Sequence, residues 1–335
     1  MLYIRTDMNH IIATGHVMRC IAIAEAARRM GEEPVFILAD LHAERLLKER
    51  GFSYIILNTK WNDMESELPV LENLIKERQM EQILIDSYQV TENYFRSLTS
   101  LVQTYYMDDV NAFLYPVTGI ICYANYWEKF HYKERYKNTK LYLGTKYAPL
   151  RSVFCECKQK RINKRVEKIL LLSGGTDSYH VLEQMLEGLD LKRYLQVNVI
   201  CGTYNQQYDF LKKKSEAYFN VNIYQAVSDI EQFMMEADVV ISAGGSTLYE
   251  LCAVGVPTIS YSIADNQLNN VRKFHEDGII DYAGDVRSDA FLQKIRYYLE
   301  RFETNHNLRQ EKSQKMREMV DGKGAWRIAE LFIAR

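Results

Sequence analysis

The run Asp238-Val239-Val240-Ile241-Ser242-Ala243-Gly244-Gly245-Ser246-Thr247-Leu248-Tyr249-Glu250 contains three pieces in succession. Within residues 238–242, Val239-Val240-Ile241 is a continuous apolar, β-branched run without alternation. That pattern predicts a strand covered on both faces, as in a parallel sheet. A glycine pair follows, and 248–254 then reads as a helix. The same succession recurs at 168–173, where an apolar strand runs into Gly174-Gly175-Thr176-Asp177-Ser178 and a helix. It recurs again at the start of the chain. There the strand 1–4 leads through Arg5-Thr6-Asp7 and a loop into Gly15-His16-Val17-Met18-Arg19-Cys20, with a helix over 16–30.

Outward from these three points, strands and helices alternate. In the first half, strands are expected at 33–39, 53–57, 82–86, 104–107 and 118–123. Helices are expected at 42–50, across most of 61–78, and up to Leu101. Residues 145–166 break the pattern with Pro149, Cys155-Glu-Cys157 and the charged tract 158–168. After the break, strands are expected at 168–173, 196–201, 221–224, 238–242 and 256–261. Helices follow the strands, with a helical tail beyond Ser288 interrupted at Asp321-Gly322-Lys323-Gly324. Strands alternating with helices predict doubly wound parallel sheets, and 335 residues favour two domains. The expected organisation is a Rossmann-like domain at 1–150, a linker at 151–166, a second Rossmann-like domain at 167–310, and a C-terminal helix at 311–335 packing back on the first domain.

Composition excludes several classes. Hydrophobic residues are 47%, charged residues 26%, and the formal net charge is −2. Nothing in that balance points to nucleic acid. No apolar run of about 18 residues spans a membrane, and no signal peptide is expected. The six cysteines are spread out, with no zinc-like Cys/His spacing. They predict reduced thiols and a cytoplasmic protein. The oligomeric state stays open, a monomer included.

Glycine after a strand lets backbone amides approach a ligand, and a helix N-terminus suits phosphate. Gly174, Gly175 and Thr176, together with Gly244, Gly245, Ser246 and Thr247, are therefore candidates to hold a diphosphate. Glu250, one turn into its helix, is a candidate for a ribose hydroxyl by the logic of the acidic residue in dinucleotide sites. Asn266 and Gln267 are expected at phosphate or sugar groups. In the first half, His16 beside Gly15 sits where a strand turns into a helix, and its side chain titrates nearest neutrality.

These motifs make the second half similar to the nucleotide-binding domain of GT-B-fold proteins, such as the membrane-associated N-acetylglucosaminyl transferase of peptidoglycan synthesis. The whole chain resembles the UDP-2,4-diacetamido-2,4,6-trideoxy-β-L-altropyranose hydrolases of pseudaminic acid biosynthesis, and related spore-coat polysaccharide proteins. The resemblance rests on Arg5, Asp7, Gly15-His16-Val17-Met18-Arg19-Cys20, Trp61, Asp63, Asp86-Ser87-Tyr88 and the run 143–151. It continues through Gly174-Gly175-Thr176-Asp177, the run 242–250, Asn266-Gln267 and Asp321-Gly322-x-Gly324. Ala13 stands where that family has the first glycine of its Gly-x-Gly turn. The acidic turn Asp108-Asp109 is kept, while an Asn-Gln-Asn-like segment is reduced to Ala124-Asn125.

The resemblance implies a GT-B-like fold, with two doubly wound domains facing across a cleft. It implies hydrolysis of a UDP-linked diacetamido-trideoxyhexose with inversion, without metal or cofactor. His16 is then the expected base toward water, with Asp7 or a backbone carbonyl fixing its tautomer. Tyr88 is expected to orient sugar or water. Arg5 and Arg19 are expected to pair with Asp7 or with substrate.

Overall fold

A computed structural model describes residues 1–12 and 14–333. Ala13, singled out above in the turn before His16, lies outside the described residues. The chain divides into two compact units. One is Met1–Ser152 together with the segment from Gly322 onward, and the other is Val153–Asp321.

The first unit carries a seven-stranded sheet in the order β3-β2-β1-β4-β5-β6-β7. Its strands are β1 (Tyr3–Thr6), β2 (Val35–Leu38), β3 (Ser53–Ile56), β4 (Gln82–Asp86), β5 (Gln103–Met107), β6 (Gly119–Cys122) and β7 (Lys140–Leu143). All pairings are parallel. Successive side chains alternate faces, and both faces are buried. Ile4 and Leu84 join one core with the helix Gly15–Arg29, and Tyr3, Ile83 and Ile85 join the other. The helix Gly324–Ala329 adds Ala325, Ile328 and Ala329 to the first of these cores. There Gln82 Nε2 donates to Phe332 O at 2.6 Å.

The second unit carries a six-stranded parallel sheet in the order β10-β9-β8-β11-β12-β13. Its strands are β8 (Lys168–Leu172), β9 (Gln196–Cys201), β10 (Val221–Gln225), β11 (Val239–Ala243), β12 (Thr258–Ser262) and β13 (Asp281–Asp285). The two units thus have the GT-B-like class of architecture, two Rossmann-like parallel sheets.

Two edge strands and one helix differ from the sequence reading. β7 is only four residues long and half-buried. β13 contains two aspartates and Gly284 at φ +100°, and a register shift interrupts its pairing to β12. An edge strand needs less apolar surface than a central one, so neither gives the continuous apolar run that marks its neighbours. The helix Leu268–Glu276 is largely polar and shows only Val271 and Phe274 as buried apolar residues. Arg5 and Thr6, expected after the strand 1–4, are the last residues of β1.

The segment 151–166, expected as a linker, makes contacts of its own. Beyond Ser152 it is strapped to the second unit. Lys160 Nζ donates to Met235 O at 2.6 Å, and Asn163 Nδ2 donates to Asp238 Oδ1 at 2.8 Å. Arg309 Nη2 donates to the carbonyls of Asn163 and Lys164 at 2.7 and 2.9 Å. Among the described residues, no helix is long and apolar enough to cross a membrane.

Candidate functional site

In both sheets the strand order reverses direction about a central pair, β1 with β4 and β8 with β11. Connections leaving such a pair diverge, so its carboxyl edge is open for a ligand. In the first unit, Thr6 pairs with Asp86, so β1 and β4 end side by side. His16 is the second residue of the helix that follows β1, and Arg19 lies on the same face one turn on.

His16 Nδ1 is 2.6 Å from Asp86 Oδ1. Arg19 Nε donates to Asp86 Oδ2 at 2.6 Å, Arg19 Nη2 donates to Oδ1, and Cys20 Sγ donates to Oδ2 at 3.3 Å. Burial alone would push the Asp86 carboxyl up, yet Arg19 and His16 hold it well below the usual carboxylate range. An ionised carboxylate only accepts, so the 2.6 Å contact places a proton on Nδ1. Arg19 Nη2 also lies 3.1 Å from Nδ1, but a guanidinium only donates, and its N–H is accepted by Asp86 Oδ1. The other ring nitrogen, Nε2, has no hydrogen-bond partner among the described residues and is left as an acceptor. His16 lines a cavity of about 10 Å³ with Asp7, Ile12, Asp86, Ser87, Tyr88 and Gln89. That is room for roughly one water molecule. Tyr88 is half exposed, its ring meeting the His16 ring at 4.7 Å and 79°. Its hydroxyl donates to Asp109 Oδ2 at 3.0 Å. Burial and Asp109 together push the Tyr88 phenol up, so it stays protonated near neutrality.

Arg5 pairs with Asp7, one of its two expected partners, while Asp7 departs from its expected role beside His16. Arg5 is wholly buried. It donates through Nε and Nη2 to Glu67 at 2.8 and 2.6 Å, and through Nη1 to Asp7 Oδ2 at 2.5 Å. With no accessible surface it is a strut under the edge and reaches no substrate. Asp7 Oδ1 accepts the Ala39 N–H at 2.8 Å. Burial outweighs Arg5 and leaves the Asp7 carboxyl above its ordinary value. Asp7 therefore braces β1 against β2, and Asp86 sets the His16 tautomer. Arg19 pairs with Asp86, not with Asp7. Gly15 opens the helix, and a Cβ there would meet nothing within 4 Å.

In the second unit, Ser242 pairs with Leu172, so the two glycine turns leave the sheet side by side. They are not equivalent. After β8 the chain passes through Gly174 at φ +81°, and the helix begins only at Val181, not directly after the glycines. Asp177 accepts the N–H groups of Val181 and Leu182 at 2.8 and 3.2 Å. The donors expected to meet phosphate at that helix are thus already capped from within. Thr176 is exposed, its hydroxyl 3.2 Å from that of Ser178.

After β11, the helix Thr247–Val254 starts at once, with Ser246 at its N-cap and no side-chain cap. The N–H groups of Leu248 and Tyr249 go to the carbonyls of Gly245 and Ser246 at 3.2 and 3.0 Å, so the amides that can meet an anion at the positive end of this helix are those of Gly245, Ser246 and Thr247. A Cβ on Gly244 would lie 2.1 Å from Val271 Cγ1, so only glycine fits that corner. Asn270 Nδ2 donates to Gly244 O at 3.3 Å and receives the Tyr249 hydroxyl on Oδ1 at 2.9 Å, which pins the turn. Gly245, Ser246 and Thr247 are at least partly accessible, and Glu250 is half-buried one turn in. Gln267 lies beside Gly244 but accepts the Ile263 N–H at 3.0 Å, so its amide oxygen holds its own loop. Asn266 is exposed in the same short turn, Asp265–Gln267. Among the described residues, no group of three His, Cys, Asp or Glu side chains is placed to hold a metal ion.

Residues 160–323 match the sequence model of the glycosyltransferase family 28 C-terminal domain. An uncharacterized protein of Methanocaldococcus jannaschii is 25% identical over 269 residues, covering 76% of this chain and 54% of the relative. The spore coat polysaccharide biosynthesis protein SpsG of Bacillus subtilis is 24% identical over 201 residues, 58% of each chain. The chain therefore spans a little over half the length of these curated relatives. The crystal structure of Acinetobacter baumannii MurG superposes with a TM-score of 0.72 at 14% identity, over 98% of both chains. At that identity the likeness establishes the fold, GT-B-like.

Sequence reading missed Asp86 as the partner of His16 and missed Glu67 altogether, and it named Asp177 and Asp109 within motifs without giving them these contacts. Asp86 had a legible signal, a carboxylate closing a buried apolar strand. The others are brought in only by pairing and packing.

Proposed function

We propose that this protein is a nucleotide-sugar hydrolase that releases UDP and free sugar from a UDP-linked diacetamido-trideoxyhexose. Its setting would be nonulosonic acid or surface polysaccharide biosynthesis. The observation that supports this most is the His16–Asp86 pair, which engages Nδ1, with both residues lining a cavity of one water's size. In this reading Nε2 takes a proton from water as the water oxygen bonds to the anomeric carbon. The bond from that carbon to the UDP oxygen breaks, its electron pair leaves with UDP, and the configuration inverts. Asp86 stays ionised and stabilises the imidazolium, as the carboxylate does in serine triads. The amides at Gly245, Ser246 and Thr247 hold the diphosphate, and Glu250 the ribose. The kinship to SpsG, a spore coat polysaccharide biosynthesis protein, supports the setting.

The match of 160–323 to a glycosyltransferase domain favours a second reading, transfer of the sugar to an acceptor. The test is incubation with the UDP-linked sugar and no acceptor. Catalytic release of UDP and free sugar supports hydrolysis. UDP released only after an acceptor is added supports transfer, and binding without turnover overturns both.

A further inference from the structure

The order of the first sheet sets β5 next to β4, so the turn after β5 lies beside the segment Asp86-Ser87-Tyr88. That turn is rigid. Asp108 is buried and accepts the hydroxyls of Tyr115, at 3.0 Å, and of Tyr132. Its Oδ1 also accepts the N–H groups of Val110 and Asn111, both at 3.0 Å. Four donors thus clamp the residue just before Asp109. On the β4 side, Tyr106 of β5 donates its hydroxyl to Ser87 O at 3.3 Å, tying the two strand ends together.

From this anchored turn, Asp109 reaches two groups of the candidate site. Its Oδ2 accepts the Tyr88 hydroxyl at 3.0 Å and lies 3.7 Å from Arg19 Nη1. Arg19 holds Asp86, Asp86 holds His16, and the His16 ring meets the Tyr88 ring. The contacts close on themselves through His16, Asp86, Arg19, Asp109 and Tyr88. Asp86 fixes the imidazole from its Nδ1 edge. Tyr88 is half exposed at a strand end, and without its hydroxyl bond it would be free to rotate away from the imidazole.

We propose that Asp109 is a positioning residue, which holds the Tyr88 ring against His16 and so completes the aim of the imidazole. This rests on the hydrolase reading for its catalytic consequence, but its structural content stands apart from it. Misplacing a reacting group by about 1 Å costs on the order of 100-fold in rate. Asp109→Ala is therefore expected to lower kcat about 10- to 100-fold with KM within about twofold of wild type. Tyr88→Phe, which removes the donor and keeps the ring, should lose a similar factor. The double variant should be no worse than either single one, because both break the same bond. Asp109→Asn keeps an acceptor for the hydroxyl and should recover most of the loss.

The readout that does not need turnover is the ring-proton NMR shift of His16, which senses the Tyr88 ring current. Tyr88→Leu calibrates it. Asp109→Ala should move the His16 shift toward the Tyr88→Leu value, and Asp109→Asn should leave it near wild type. If Asp109→Ala leaves the His16 resonances unchanged in a folded protein, the proposal is overturned. A fall in activity that the double-variant cycle shows to be additive also overturns it. If Asp109→Ala does not fold, Tyr88→Phe and Asp109→Asn carry the same comparison. If wild-type protein shows no hydrolysis, the hydrolase reading fails while the NMR comparison still decides Asp109.

Discussion

The carboxyl edges of the two sheets have the same topology and opposite chemistry. Around β1 and β4 the edge is crowded with ionisable side chains, and nearly every one has a bonded partner. Arg5 lies between Glu67 and Asp7, and Asp86 takes donors from His16, Arg19 and Cys20. Around β8 and β11 the edge is built on two glycine pairs, Gly174-Gly175 and Gly244-Gly245. The strand order supplies the place, and the residues that end the strands determine what the place does. Paired charges suit proton transfer, and bare amides suit an anion. The second edge repeats the lesson on a smaller scale. One glycine turn is followed by a helix whose first amides Asp177 already occupies, and the other by a helix with no side-chain cap.

The comparison breaks if the edges do not separate turnover from binding. His16→Ala should lower UDP release by roughly 10²–10⁴-fold, with UDP affinity by calorimetric titration unchanged. A parallel fall in UDP affinity would show that the two edges do not divide the work.

Asp86→Asn should be nearly as damaging, since an amide can present its NH₂ to Nδ1 and favour the wrong tautomer. It should also remove about 3–5 kcal/mol of stability near neutrality by leaving Arg19 without its buried partner. The pH dependence has a definite sign. The folded Asp86 carboxyl is depressed, so its contribution is fully present above the unfolded value of about 4. It is lost as the pH falls below that toward the depressed folded value. Thermal unfolding of wild type and variant should therefore differ most near pH 7 and converge as the pH falls below about 4. A constant gap across that range would contradict an ionised Asp86.

Gly244→Ala sharpens the other side. A Cβ placed 2.1 Å from Val271 Cγ1 must displace the turn or the helix Leu268–Glu276. The expected cost is about 1–3 kcal/mol of stability, with UDP affinity down at least about tenfold. Adding Val271→Ala should restore part of the affinity by making room. Intact affinity in Gly244→Ala would remove this turn from the diphosphate site.

The smallest effect separates the two glycine turns. Asp177→Ala should cost about 1 kcal/mol by uncapping the helix Val181–Gly188 and leave UDP affinity within about twofold. A tenfold gain in affinity would mean that Asp177 competes with phosphate for those amides, and that the first turn belongs to the site after all.

The sequence by itself determined the alternation of strands and helices, the restart near residue 168, the three strand-turn-helix points and His16 at one of them. These are local properties. Apolar runs, glycine after a strand and helical periodicity each act over a few residues and leave their mark in the order of the chain. Edge strands β7 and β13 escaped because half-covered strands need no such run. Only the tertiary structure decided which carboxylate meets which cation. Asp7 is nine residues from His16, and Asp86 is seventy. Yet the parallel register that sets Thr6 beside Asp86 hands the histidine to the distant one, while Arg5 and the Ala39 amide claim the near one. The same holds for Asp177, which looks like part of a phosphate loop until the turn folds it onto the next helix. A charged side chain takes whichever partner packing brings within hydrogen-bond distance, and strand order, which spans the whole domain, sets that distance.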